Sequence, residues 1–397
     1  MITLHTCLLL LTLSADTDAS PAQISIQKAE AGIAKNPGHV PYHNALAMAY
    51  ARRAREISDD TYYGKAEEVV EKTLQKAPGD FETLKVRCWL LLGRHEFAKA
   101  RELAMTLNKK NPDDITVYGF LTDANVELGN YKEAIDAAQW MLKIRPGNVA
   151  GLTRAAYLRE LHGYLPGAIE LMRTAYDAVA YPETEERAWI LTQIANLQLT
   201  SGNLAEAEKY ATGALGVFPG YHYALAAMGR VRTAQKRYAD AAEFYQKRYD
   251  ASQHPENLYP LGLAYRRAGK DAEAERVFAQ FEKEAVEESG GADNANHELI
   301  AYYIEVAKRP AEAVKIAEAE LKRRNDVFTQ DAYAWAKAAA GDYAEADKHL
   351  QSALAVGVKD PSILYHASVV AKKQNRMEEA DKLLRQAAAG YCPEAVR

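Results

Sequence analysis

Apolar positions recur along this chain at the three- and four-residue spacing of an amphipathic helix, in pairs of segments separated by short turns. "VYGFLTDANVEL" (117–128) and "LTRAAYLREL" (152–161) are first segments of such pairs; "NLAEAEKYATGAL" (203–215) and "GDYAEADKHLQSAL" (341–354) are second segments. The turn between them often holds glycine, as at Gly129, Gly163, Gly202, Gly269 and Gly341. The second segments are unusual in one respect. "NYKEAIDAAQWMLKIRPGN" (130–148) carries Ala134 and Ala138 where a core-facing helix ordinarily carries Leu or Ile, and "EFAKARELAMTLNKKNPDD" (96–114) repeats the feature with Ala100 and Ala104, 34 residues upstream.

The small residue recurs as Ala66, Ala100, Ala134, Ala168, Ala207, Ala241, Ala274, Ala313, Ala346 and Ala380, at intervals of 34, 34, 34, 39, 34, 33, 39, 33 and 34. Twelve positions further on, Pro78, Pro112, Pro146 and Pro219 stop the helix, because proline disfavours helical backbone in the residue before it. A fixed period near 34 predicts a solenoid of helical hairpins. The alanines let the two helices of a hairpin approach closely, so leucine at position 134 is expected to overpack the hairpin.

The segments "LGNYKEAIDAAQWMLKIRPGN", "SGNLAEAEKYATGALGVFPGY" and "AGDYAEADKHLQSAL" resemble the tetratricopeptide repeat, over about residues 40 to 393. That resemblance implies an all-α, right-handed superhelical solenoid of about ten helix-turn-helix hairpins. Residues 20–39 read as a capping helix and 40–397 as the solenoid. The pattern is broken by extra residues in "REISDDT" (55–61), by the two 39-residue intervals containing "AYPETEERA" (180–188) and "VEESGGADNAN" (286–296), and by "KRPAEA" (308–313), where the turn glycine is missing. Without a separate polar cap, the C-terminal end is expected to offer Leu383, Leu384 and Tyr391 for end-to-end self-association.

Composition alters this picture little. A net charge of −5 over 397 residues gives no electrostatic footprint for nucleic acid, and no internal apolar run is long enough to span a membrane. Residues 1–19 combine an apolar run, Cys7–Leu13, with a small-residue site ending at Ala19, which reads as a secretory signal and a periplasmic or secreted protein. Cys88 and Cys392 then stand at opposite ends of the array, out of reach of each other; Cys392 is placed to cross-link two chains. No phosphate loop or nucleophile elbow occurs, and neither His95-Glu96 nor His297-Glu298 is followed by a second histidine at a metalloprotease spacing. His39 and His43 read as surface histidines. The expectation is a non-enzymatic protein with no metal and no cofactor.

The repeat resemblance also implies that residues 18, 15, 11 and 8 positions before each marker alanine face the concave groove. On that basis the candidate partner-binding residues are Lys85, Trp89, Asp123, Tyr157, Glu160, Trp189, Asn196, Tyr223, Arg230, Tyr259, Arg266, Tyr302, Asp331 and Trp335. Aromatic side chains interspersed with arginine are the types that dominate binding hot spots. The clamp with which some family members hold chaperone C-termini is not reproduced, since Lys85 is followed by Gly119 and Thr153 at the equivalent places and Trp89 stands where asparagine is required. The function expected is a scaffold holding a peptide or protein partner in the groove; the alternative is a glycan-binding module in envelope polysaccharide handling.

Overall fold

The computed structural model describes residues 20–392 apart from 58, 60, 292 and 293. The expected signal segment, 1–19, lies outside the described residues. Those described form twenty-one α-helices and one short 3-10 turn, with no strand among them. A first helix, Pro21–Lys35, is opened by a reciprocal box between Ser20 and Gln23 and packs on Val40–Ile57. Ten antiparallel helix pairs follow, from Val40–Ile57 with Thr61–Lys76 to Pro361–Lys373 with Met377–Ala387. No described helix is long and apolar enough to cross a membrane.

Local chemistry fixes each hairpin. Five of the ten first helices open on a side-chain cap: Asp80, Asp114, Asn148, Asp326 and Asp360 each accept a backbone N–H from the first turn. They close on a residue in the left-handed region, followed by a six-to-one backbone bond such as Asn130 N to Asn125 O (2.7 Å) or Lys270 N to Tyr265 O (2.9 Å). Glycine holds this position in five hairpins, but His95, Lys236, Lys308 and Asn375 hold it in four others, with φ between 56° and 63°. The hairpin at 308–313 keeps the left-handed residue without its glycine, but its turn is one residue longer, closing through Arg309 N to Tyr303 O (2.7 Å).

Nine of the ten marker alanines are fully buried, and the tenth, Ala380, is 4% exposed. Where the position four residues later is a large ring, the facing helix is emptied to receive it. A Cβ on Gly229 would stand 2.5 Å from the Tyr245 ring, and one on Gly262 2.5 Å from the Phe278 ring. The longer intervals are absorbed by longer helices, Thr184–Thr200 and Asp271–Glu288.

The array winds back on itself. Turns in the early repeats meet the starts of first helices five or six repeats later. Asn325 N donates to Glu127 O (2.8 Å) and Val327 N to the Tyr131 hydroxyl (2.9 Å). Gly163 abuts the Gly357 carbonyl, and Tyr391 N donates to Leu199 O (3.1 Å). Nearer the N-terminus, Arg52 pairs with Glu183 (2.8 Å), Arg55 pairs with the fully buried Glu185 (2.7 Å), and His222 Nε2 lies 3.1 Å from Arg55 O.

This seam changes the reading of the C-terminal end. Leu383 is buried and Tyr391 is tied to the fifth repeat, so of the three residues expected to drive self-association only Leu384 is exposed. Cys88 and Cys392 are both buried, and at 3% exposure Cys392 is not placed to cross-link chains.

Candidate functional site

Because the superhelix closes, its inner face is divided into pockets. The first, about 390 Å³, lies inside repeats three to five and is lined by Asp123, Arg154, Tyr157, Glu160, Glu186 and Trp189, with Arg55 reaching in from the first repeat. The second, about 400 Å³, lies inside repeats six to ten; Arg230, Arg248, Arg267, Tyr259, Asp331 and Trp335 face it, and Tyr391 reaches it from beyond the last helix. A smaller space of about 190 Å³ adjoins the second pocket at His95, Glu256 and His297.

In the first pocket, Arg154 grips Asp123 with two bonds, Nε to Oδ1 (2.8 Å) and Nη2 to Oδ2 (2.5 Å), the bidentate geometry of a strong guanidinium–carboxylate pair. Tyr157 and Glu160 stand one helical turn apart on Val149–Leu161, so both reach the same space. Burial, and the Asp360 carboxylate arriving across the seam, push Glu160 up to about 7.

In the second pocket, His366 Nδ1 sits 2.9 Å and 3.0 Å from the two oxygens of Asp331, both residues being buried. The Trp335 ring stacks on His366 with centroids 4.1 Å apart and a 13° tilt, and its Nε1 donates to Glu305 (3.2 Å). Arg248 pairs with Glu256 (2.7 Å). Among the described residues Arg230's hydrogen-bond partner is an amide, Asn196 Oδ1 at 2.8 Å; burial pulls its pKa below the usual arginine value. Burial and the neighbouring Glu256 raise Glu298.

The fourteen sequence candidates divide accordingly. Asp123, Tyr157, Glu160 and Trp189 face the first pocket; Arg230, Tyr259, Asp331 and Trp335 face the second. Asn196 sits behind Arg230 and orients it. The other five are engaged elsewhere. Lys85 is held by Asp114 (2.8 Å) and Glu82 (3.0 Å), and Trp89 packs between the cores of the first three repeats. Tyr223 lies against His222 with ring centroids 3.9 Å apart. Arg266 pairs with Glu275 (2.7 Å) over the Phe278 ring, so that Arg267 takes the pocket instead. Tyr302 is core: it packs on Phe278 and Phe281, and its hydroxyl donates to Glu282 (3.0 Å).

Arg154, Arg267 and His366 were not found by the offset rule, and the reason is geometric. They lie 14, 7 and 14 positions before their marker alanines, one residue from the offsets 15 and 8. One residue is a 100° turn of the helix, and the inner face is wide enough to include both. Arg248 and Asp360 carry no such signal, since one comes from a second helix and the other from a helix cap.

A sequence model described as tetratricopeptide repeat matches residues 192–254. No curated protein matches the chain. Among solved structures, a human IFIT1 dimer with PPP-AAAA is 15% identical, with 91% of this chain and 85% of that chain covered and a TM-score of 0.51. The human IFIT1 dimer with m7Gppp-AAAA is equally similar, at 15% identity, 91% and 84% coverage and a TM-score of 0.51. A chain of the APC/C hetero-tetramer Cut9–Hcn1 is 15% identical with a TM-score of 0.48; 91% of this chain is covered, but it spans only 58% of that one. At such identities the likeness is one of fold. Residues 192–254 thus carry the tetratricopeptide repeat's own sequence pattern, and the same kind of helix pair recurs ten times among the described residues, so the fold is a tetratricopeptide-like helical solenoid.

Proposed function

We propose that this protein is an interaction scaffold that takes an extended segment of a protein partner into the interior of its superhelix. The observation that carries this reading is the seam. By bringing residues 324–327, 357–359 and 389–391 against turns near 129, 163 and 202, it narrows the concave groove to pockets of about 400 Å³. Spaces of that size suit a few side chains of an unfolded segment rather than a folded domain or a whole helix. Their walls offer what such a segment needs: the rings of Trp189, Tyr259 and Trp335 for contact area, and charged groups at fixed points for register.

Arg230 adds a specific feature. A guanidinium that faces a pocket and has no carboxylate partner among the described residues favours an anionic group on the bound segment, an acidic side chain or a terminal carboxylate. This supports a charged peptide over a neutral glycan. The IFIT1 structures contain PPP-AAAA and m7Gppp-AAAA. Here Glu256, Glu298, Glu305, Asp331 and Asp360 stand among the three arginines of the second pocket and oppose a polyphosphate.

The test is selection of a displayed random-peptide library on the purified protein, followed by titration of enriched peptides into wild type, Arg230→Gln and Trp335→Ala. Peptides sharing an acidic position, and losing at least tenfold in affinity on either substitution, are expected. Peptides that bind all three proteins equally would place the site outside the interior and overturn the reading.

A further inference from the structure

The two pockets differ in what they leave unneutralised. In the first, both arginines are already spent on carboxylates: Arg154 holds Asp123 through two bonds, and Arg55 holds Glu185 at 2.7 Å. Two further carboxylates line the same space, Glu160 from Val149–Leu161 and Glu186 from Thr184–Thr200. Among the described residues neither side-chain carboxylate has a hydrogen-bond or ion-pair partner, although Glu186 feels the Arg55 charge. Glu160 is partly buried and lines the pocket. The rings of Tyr157 and Trp189 form part of the same wall.

A carboxylate withdrawn from water without a counter-charge costs folding free energy, and a protein that keeps one beside two aromatic rings has the elements of a cation site. We propose that the first pocket binds a primary ammonium group, the side chain of a lysine carried by the partner segment, with Glu160 as its counter-charge, Glu186 as a second and Tyr157 and Trp189 as flanking rings. This deepens the scaffold reading and rests on it for the source of the ammonium. The pocket itself asks only for the cation.

Two observations and a general principle support the assignment. The arginines that would repel a cation are each engaged by a carboxylate at hydrogen-bond distance, so the charge left over is negative. Asp360, brought in across the seam by the tenth repeat, adds to the same field and, after burial, is the second cause of the raised Glu160 pKa. Aromatic rings that line the same space as a carboxylate also hold a cation better than they hold a neutral chain of the same length, because ring quadrupole and charge act together. The second pocket differs at one point, where Arg230, held by the Asn196 amide, can take an anionic group. A segment lying through both would therefore carry a basic residue at one point and an acidic group at another.

The experiment repeats the library selection with wild type and Glu160→Gln side by side. It adds direct calorimetric titration of 1,5-diaminopentane and of 1-pentanol, its neutral counterpart, into both proteins. The substitution replaces an unpartnered carboxylate by a neutral group of the same shape, so folding is not at risk; Glu186→Gln serves as the second variant. The expected result is enrichment of lysine at one peptide position on wild type, loss of that preference with a tenfold or greater fall in affinity on Glu160→Gln, and binding of the diamine but not of the alcohol. Peptides enriched without a basic position and bound equally by both proteins would overturn this inference and leave the scaffold reading standing. Diamine binding lost on Glu160→Gln, with no peptide enriched by wild type, would uphold the ammonium site, assign it to a free amine and overturn the scaffold reading. Failure of both peptides and diamine would overturn both.

Discussion

Alanine substituted separately at Gly163 and at Gly269 separates two roles that a turn glycine has in this array. The residues occupy the same place in their hairpins, with φ of 72° and 73°. An L-residue in the left-handed region costs roughly 1–2 kcal/mol, and the loss of glycine's freedom in the unfolded chain recovers part of it. His95, Lys236, Lys308 and Asn375 show that the array bears this cost. A Cβ on Gly269 would have nothing within 4 Å, so Gly269→Ala should destabilise by about 1 kcal/mol. A Cβ on Gly163 would overlap the Gly357 carbonyl and stand 2.9 Å from Lys359 Cγ. The lysine can swing away, but the carbonyl is backbone and can retreat only if the seam parts. Overpacking of this kind adds about 1–3 kcal/mol, for a total near 2–5 kcal/mol at Gly163.

Urea denaturation measures the two costs, and amide exchange locates them. Gly163→Ala should accelerate exchange at Gly357 and Val358, almost two hundred positions away in sequence, whereas Gly269→Ala should leave those amides unchanged. Equal destabilisation by the two substitutions, with no exchange response at 357–358, would show that the seam contributes nothing and would refute the division of the groove into pockets.

The remaining predictions concern the hairpins and the interior. Ala134→Leu places three extra carbons at a fully buried contact and should cost about 1–3 kcal/mol in urea denaturation, while the same change at exposed Ala98 should be near neutral. Glu185→Ala removes the partner of Arg55 and the acceptor of the buried Tyr221 hydroxyl (2.8 Å), so a loss of about 1–3 kcal/mol is expected, with Glu185→Gln milder because it keeps that acceptor. Glu160→Gln should stabilise the protein in a pH-dependent way. A carboxyl whose folded pKa is raised from 4.5 to about 7 contributes nothing unfavourable below pH 4.5, costs progressively more between 4.5 and 7, and reaches its full cost above 7. At 1.36 kcal/mol per unit the gain approaches about 3 kcal/mol at pH 8 and vanishes at pH 4; a gain independent of pH would contradict the assignment.

What the sequence makes legible is whatever is decided within one repeat. The contact at Ala134, the caps at Asp114 and Asn148 and the turn at Gly129 all depend on residues fewer than forty positions apart, and the period exposes them by repetition. The inner face is legible only in part. An offset rule taken from one residue of a helix found Tyr157, Glu160 and Trp335 but passed over Arg154 and Arg267, which lie one position to the side. It also took in Tyr302 and Arg266, because adjacent repeats are not rotated identically and a long ring or guanidinium can turn back into its own hairpin.

The seam is the part that no local pattern announces. Each repeat adds a small rotation, and the sum over five or six of them decides whether residue 325 meets residue 127 or misses it. The glycines illustrate why the sequence does not disclose the outcome. Gly129, Gly163 and Gly202 are needed because a second backbone lies against them, yet Gly269 and Gly341 stand in the same turn with nothing near, and His95 manages the turn with a side chain. The residue type reports the dihedral angle, which all share, and not the neighbour, which only some have. Chemistry assembled across the seam inherits that silence. Asp360 is a helix cap by its sequence and becomes a neighbour of Glu160 only once the tenth repeat has come round to the fourth. The charge preference of the first pocket is thus a property of superhelical pitch as much as of the residues that line it. A variant that opens the seam at Gly163 should weaken ammonium binding without touching a pocket side chain.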